Sequence, residues 1–419
     1  MTTTLVKKDG PAAVAPQPTV GSHVRTYLSR VRGGDIGALP AVLGLVVLCA
    51  FFAIQQPTFL TAGNFANLFT QGAAVALIAM GLVFVLLLGE IDLSAGFASG
   101  VCAAILANVA TVRGYPWYVA VLAAIATGVA IGALLGVLVA KIGIPSFVVT
   151  LAGFLAFQGI VLMLMDEGAN ISIRDDTLVA IANRNLSPAI GWALAAVAVA
   201  GYAAVQLLRH RKRSARGLLT DPFAVVLARI GGLALILGLA VYILNLERSR
   251  NVLISSLKGV PIVVPIIAVL LVFWTFVLQR TSYGRHVYAV GGNTEAARRA
   301  GINVDRIRIS VFVICSGMAA IGGIVAASRA NSVDPNTGGS NVLLYAVGAA
   351  VIGGTSLFGG KGRVLDAVLG GAVVAVIDNG MGLMGYSSGR KFVVTGVVLL
   401  LAASVDAISR RRAAATGTR

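Results

Sequence analysis

Gly284–Asn303, GRHVYAVGGNTEAARRAGIN, is the stretch on which the reading of this chain turns. It is a polar, arginine-bearing island set between two long apolar runs. Within it Glu295, Ala296, Ala297 and Arg298 are followed by Gly301, a pattern that predicts a short amphipathic helix closed by a glycine. Between two apolar runs, such a helix lies exposed at a membrane surface. Composition alone leaves a second reading open, a basic loop whose role is to orient a membrane protein.

The rest of the chain supplies the membrane. Of its 419 residues 58% are hydrophobic and only 12% charged, with 50 glycines and a mean hydropathy of +0.90, which excludes an ordinary soluble globule. The net charge of +17 raises the question of nucleic acid. The basic residues, however, lie in clusters between apolar runs, as membrane orientation requires, and no nucleic-acid partner is expected. Cys49, Cys102 and Cys315 each lie inside an apolar run with no CxxC spacing, as small buried hydrophobes do. His23, His210 and His286 are scattered among basic segments. No metal or redox cofactor is expected.

The fold class is therefore all-α, a polytopic transmembrane bundle of about 10–12 spans lying in a lipid bilayer. Twelve candidate spans are Leu39 to Ile54, Ala73 to Gly89, Ala95 to Val112, Tyr118 to Ala140, Phe147 to Met165, Ile190 to Leu208, Phe223 to Asn245, Val260 to Leu278, Ile307 to Ser328, Val342 to Phe358, Val364 to Gly385 and Phe392 to Ile408. Asn64 to Gly72 is a candidate re-entrant half-helix. With a cytoplasmic N-terminus, 23 of the 33 lysines and arginines fall in cytoplasmic segments and nine in periplasmic ones, while Arg229 lies near the cytoplasmic end of a span. Missing one span would reverse that sorting, so both termini are placed in the cytoplasm. The expected organisation is a disordered N-terminal tail over 1–38, a membrane domain over 39–409 containing a basic loop at 279–306, and a basic tail over 410–419. RHRKRSAR, from Arg209 to Arg216, reads as a further basic loop.

Two glycine-rich interruptions stand out. Gly89, Glu90, Ile91, Asp92, Leu93 and Ser94 break an otherwise nearly continuous apolar stretch. A carboxylate at membrane depth costs about 2.5–3.5 kcal/mol and normally faces a polar pathway or a partner. Alternatively the segment is a turn in which Asp92 or Ser94 caps the next helix. Gly353–Arg363, GGTSLFGGKGR, is not a phosphate-binding loop: Thr355 stands where its first glycine belongs, and Lys361 precedes Gly362 rather than Ser or Thr. It reads as a tight turn between packed helices. Asp378 and Asn379, in VVAVIDNGMGLMG, form another polar pair at depth, serving either an interhelical hydrogen bond or recognition of a solute rich in hydroxyls. Asn331 to Asn341, NSVDPNTGGSN, reads as a connection rather than a gate. The loop from Asp166 to Pro188 carries a charged rim, and Gly128, Gly132 and Gly136 share one helix face suited to close packing.

GEIDLSAG, the 284–303 island, GGTSLFGGKGR and DNGMGLMG, taken in that order, closely resemble motifs of the permease subunits of bacterial ABC sugar importers of the ribose and xylose type. The resemblance extends from about Leu39 to Ser409. It implies a permease of the bacterial inner membrane that moves a monosaccharide, xylose or a related pentose, by alternating access. The island would be the loop that couples to a cytoplasmic ABC ATPase, with Glu295, Ala296, Ala297, Arg298 and Gly301 at the contact. Glu90, Asp92, Ser94, Asp378 and Asn379 would lie along the substrate pathway. ATP would be bound and hydrolysed on the separate ATPase, this chain being no enzyme and binding no cofactor. A periplasmic sugar-binding protein and a second copy of the chain complete the implied assembly. The family's broken helices suggest an internal repeat linking GEIDLSAG with GGTSLFGG. Against the importer stands a proton-coupled sugar transporter using Glu90, Asp92 or Asp378.

Overall fold

Long apolar runs with few prolines in their interiors form helices, and in a bilayer every backbone group must be satisfied within its own segment. The computed structural model describes residues 39–415 apart from 166–168, 219 and 250–255, together with positions 21 and 25. The expected N-terminal tail apart from those two positions, and Asp166 and Glu167 of the charged rim, lie outside these residues.

The chain runs α1 (Leu39–Gln55), α2 (Ala62–Leu87), α3 (Ala95–Ala107, prolonged by a π turn to Val112), α4 (Trp117–Val137, prolonged to Ile142) and α5 (Ser146–Leu164). The short α6 (Asp176–Asn183), α7 (Pro188–Ser214), α8 (Phe223–Leu244) and α9 (Val263–Arg280) follow. The polar island forms α10 (Ser282–Gly292) and α11 (Thr294–Arg299), and the chain ends with α12 (Val304–Ala330), α13 (Ser340–Gly353), α14 (Val364–Leu383) and α15 (Ser388–Ala415). Among the described residues nine helices are long and apolar enough to cross a membrane. The strands of the described residues are two dipeptides, Ile171–Ser172 (β1) and Ser332–Val333 (β2), paired antiparallel.

The centre is built from α2, α3, α4, α12, α13 and α14. From Ala76 to Leu87, α2 is buried on every side, the mark of a helix enclosed by others rather than by lipid. Lipid chains are as apolar as Leu, so packing here depends on close van der Waals contact instead of the hydrophobic effect. Glycines provide that contact. A Cβ on Gly128 would lie 2.6 Å from Ser316 O, one on Gly132 2.6 Å from Val313 Cα, and one on Gly136 2.8 Å from Ile309 Cα. The glycine face of α4 therefore lies directly on the backbone of antiparallel α12.

Several expected boundaries move. Asn64 to Gly72 is no half-helix but the opening turns of the 26-residue α2, begun by Thr61, whose hydroxyl accepts from Asn64 N. The basic run from Arg209 continues α7 to Ser214, because nothing in RHRKRS breaks a helix. The span expected over Val342 to Phe358 stops at Gly353, where Gly354 turns left-handed at φ 117°. At the C-terminus α15 continues through the arginines to Ala415. Helices α7 and α8 pack on each other and reach the rest of the bundle at one end, where Val241, Leu244 and Val260 meet Phe65, Ala66 and Phe69.

Candidate functional site

Two places in the bundle concentrate polar chemistry, and they lie at opposite ends of α12. At its first end is the island. Asn293 caps α11, its Oδ1 accepting from Ala296 N at 2.9 Å. The helix closes as a Schellman turn: Gly301 N donates to Arg298 O at 3.0 Å, Ile302 N donates to Ala297 O at 3.1 Å, and Gly301 stands at φ 83°. Only glycine takes that conformation without strain. Ala297 is buried and anchors the helix, leaving Glu295, Ala296 and Arg298 exposed. Glu295 pairs with Arg299 at 3.2 Å across one turn.

Helix α10 connects α11 to the bundle. Its Gly291 lies against the end of α2 so closely that a Cβ there would overlap the Leu87 carbonyl oxygen and stand 3.1 Å from Gly360 N. Gly360 N itself donates to Leu87 O at 2.9 Å. Tyr288 Oη donates to Gly362 O at 2.7 Å, and the Tyr283 and Ser310 hydroxyls lie 2.9 Å apart. Burial pushes the Tyr283 phenol up to about 12, so it stays neutral across the physiological range. Glu90, 15% exposed, pairs with Arg308 at the start of α12 at 3.2 Å. The loops GEIDLSAG and GGTSLFGGKGR thus meet each other and the island at one junction.

Asp92 and Ser94 lie deeper. Asp92 Oδ1 accepts from Ser94 N at 2.9 Å and from Ser94 Oγ at 2.6 Å, a closed local turn ahead of α3. Oδ2 makes no hydrogen bond among the described residues, and the Cys315 thiol of α12 lies beside the carboxyl.

Toward the other end of α12 a cavity of about 480 Å³ opens between α2, α3, α6, α12 and the segment after β2. Asn67, Thr70, Gln71, Ser99, Asn183 and Arg329 supply its polar lining. Gly338 reaches it because the 334–339 loop folds back onto α3, where a Cβ on Gly96 would stand 2.8 Å from Gly338 O. The Asn331–Asn341 segment is therefore cavity wall as well as connection. Behind Gln71 lies a polar network. Asp378 accepts from Gln71 Nε2 and pairs with Lys391 at 3.0 Å. Asn379 and Asn64 exchange amide hydrogen bonds, both at 2.9 Å, and Asn379 Nδ2 also donates to Gln71 Oε1 at 3.2 Å.

The structure thus divides the residues expected along a pathway. Asp378 and Asn379 stand behind the cavity wall. Glu90 belongs to the junction, and Asp92 and Ser94 lie at the level of Cys315, ten residues or about 15 Å along α12 from the first cavity residue, Val325. Sequence reasoning passed over Asn67, Thr70, Gln71 and Arg329. A signal was present: three polar residues at 67, 70 and 71 share one face of a helix opening, and Arg329 sits at the end of an apolar run.

The structure is thus a helical membrane bundle with a polar cavity toward one end and an exposed capped helix at the other. The chain belongs to the branched-chain amino acid transport system / permease component family, whose model matches residues 64–403. It is 34% identical over 372 residues to the xylose transport system permease protein XylH of Haemophilus influenzae, covering 88% of this chain and 96% of that one. To XylH of Escherichia coli K12 it is 35% identical over 373 residues, 88% and 92% of the two chains. The ribose import permease protein RbsC of the same strain is 30% identical over 366 residues, 87% and 92%. No solved structure gives a significant match.

Proposed function

We propose that this chain is the membrane-spanning subunit of an ATP-driven importer for a neutral monosaccharide, with xylose or a related pentose as the substrate. Relatives named for xylose and ribose support the substrate class. The observation that carries the mechanism is the junction, where a helix exposed for docking is joined through Gly291 to the two loops that end α2 and begin α14. A push on Glu295, Ala296 and Arg298 is delivered to the helices that wall the cavity. Ala297 and Gly301 keep α11 rigid enough to transmit it. Helices α2 and α12 run from junction to cavity, so their tilt opens one end as the other closes.

In this reading the island and both termini face the cytoplasm of a bacterial inner-membrane protein, and the cavity opens toward the periplasm. A separate ABC ATPase docks on α11 and hydrolyses ATP, a periplasmic binding protein delivers the sugar, and a second copy of the chain completes the pore. This chain holds no nucleotide. Glu90, Asp92, Ser94, Asp378 and Asn379 stiffen the walls of the pathway rather than exchange protons, Asp378 being held by Lys391.

The test is reconstitution with the candidate ATPase and binding protein, comparing wild type with Glu295→Arg. ATPase retained on vesicles by wild type and released by the variant, with uptake lost in parallel, is the expected result. Equal retention and equal uptake by both would remove α11 from the docking surface.

A further inference from the structure

We propose that Arg329 and Asn67 are the residues of the cavity that grip the sugar, Arg329 presenting its guanidinium fork to two neighbouring hydroxyls of a neutral aldose. The assignment rests on the importer reading above and names the contacts that reading lacks. The donor inventory of the cavity leads to it. Thr70 Oγ1 donates to Asn67 O at 3.1 Å and Ser99 Oγ to Gly96 O at 2.6 Å. Asn183 Nδ2 donates to Ser328 O and to Asn331 Oδ1, and Gln71 is committed to Asp378 and Asn379. Four of the six polar side chains are therefore used within the protein. The Arg329 and Asn67 side chains have no hydrogen-bond or ion-pair partner among the described residues, and both are exposed where they line the cavity.

Their chemistry fits a polyol. Guanidinium offers five donors in a planar fork, and an amide offers two donors and an acceptor, so together they satisfy hydroxyls that both give and accept. Apolar wall from Ala74, Val75, Val325, Ala326 and Val342 suits the C–H faces of a sugar ring. The volume lies within the roughly 300–1,000 Å³ of small-molecule sites. Asp378 is near enough to act electrostatically on Arg329 while being paired with Lys391, so the guanidinium remains available to the cavity. Asp378 and Asn379 are then positioning residues, keeping Gln71 and α2 in register with α14.

The full complex of permease, ATPase and binding protein in vesicles tests this with Arg329→Gln, Arg329→Lys and Asn67→Ala, using xylose, its singly deoxygenated analogues and xylonate. Arg329→Gln should slow xylose uptake about tenfold or more, the loss of a hydrogen bond to a charged group. Arg329→Lys should restore part of the rate, and Gly201→Ala, whose would-be Cβ meets open space, should take up xylose and hydrolyse ATP as wild type does. At least one deoxy analogue should be slow with wild type, and Arg329→Gln should erase its disadvantage. If Arg329→Gln fails to fold or assemble, Asn67→Ala carries the uptake and deoxy-analogue readouts. Unchanged xylose uptake in the variants, a deoxy penalty that persists in them, or transport of xylonate in preference to xylose overturns the assignment. Wild type that moves no neutral monosaccharide with ATP and both partners overturns the importer reading too, whereas normal wild type with indifferent variants overturns the assignment alone.

Discussion

Replacing Gly291 by alanine should separate ATP hydrolysis from transport. In the structure a Cβ at this position would overlap Leu87 O, lie 2.9 Å from the Leu87 carbonyl carbon and 3.1 Å from Gly360 N. All three are backbone atoms, so no side-chain rotation relieves the clash and α10 must move off the ends of α2 and α14. Overpacking costs about 1–3 kcal/mol, and losing the Gly360 to Leu87 hydrogen bond adds about 0.5–1.5 kcal/mol. The docked junction is then disfavoured by about 1.5–4.5 kcal/mol, roughly 10- to 2,000-fold in population. The adjacent Gly292 has open space around its would-be Cβ, which makes Gly292→Ala the matched control. In reconstituted vesicles Gly291→Ala should hydrolyse ATP but take up sugar at least tenfold more slowly, while Gly292→Ala behaves as wild type. Wild-type uptake by Gly291→Ala, or equal damage from both substitutions, would refute the junction as the transmission point.

Three further outcomes follow from local geometry. Gly132→Ala, whose Cβ would stand 2.6 Å from Val313 Cα, should destabilise the bundle by about 1–3 kcal/mol, read as a lowered melting temperature in detergent; Gly201→Ala, with nothing within 4 Å, should not. Glu90→Arg should impair uptake, and adding Arg308→Glu should recover part of it, because the pair at 3.2 Å is largely shielded from water; a double variant worse than either single one counts against the pair. Glu247, in the loop after α8, is held down at about 2 chiefly by the Ser256 hydroxyl, with Ser249 N and Leu257 N donating as well. Its folded value lies below the unfolded one, so its contribution to stability is present above pH 4.5 and is lost as pH falls toward 2. Melting measured between those limits should fall less steeply in Glu247→Gln than in wild type, and parallel curves would show that the loop does not depend on that carboxylate.

Much of the architecture could be read from residue types because membrane helices obey local rules. The glycines of α4 announced a close contact before its partner α12 was known, and the closing glycine of α11 was legible from EAARRAG, although its Asn293 cap was not. The misreadings share one cause. Asn64, Asn67, Thr70 and Gln71 look unlike a membrane helix, so the expected span begins only at Ala73. They are polar because they face a cavity and the Asn379 network, a tertiary fact absent from any local window. Arg329 falls just past the expected end of its span at Ser328 for the same reason, and Arg209 to Arg213 reads as a loop although charge does not end a helix. The closeness of Glu90 to Arg308, more than 200 residues away, has no local signature. Neither does the nesting of Gly360 against Leu87.

The energy source tests the account most directly. Uptake of radiolabelled xylose is measured in vesicles holding this chain, the ATPase and the binding protein, with ATP at the cytoplasmic face and a protonophore present. Uptake that requires ATP and both partners and is indifferent to the protonophore is the predicted result. Uptake by this chain alone, abolished by the protonophore, would contradict the importer and make Asp92 and Asp378 candidates for proton exchange instead.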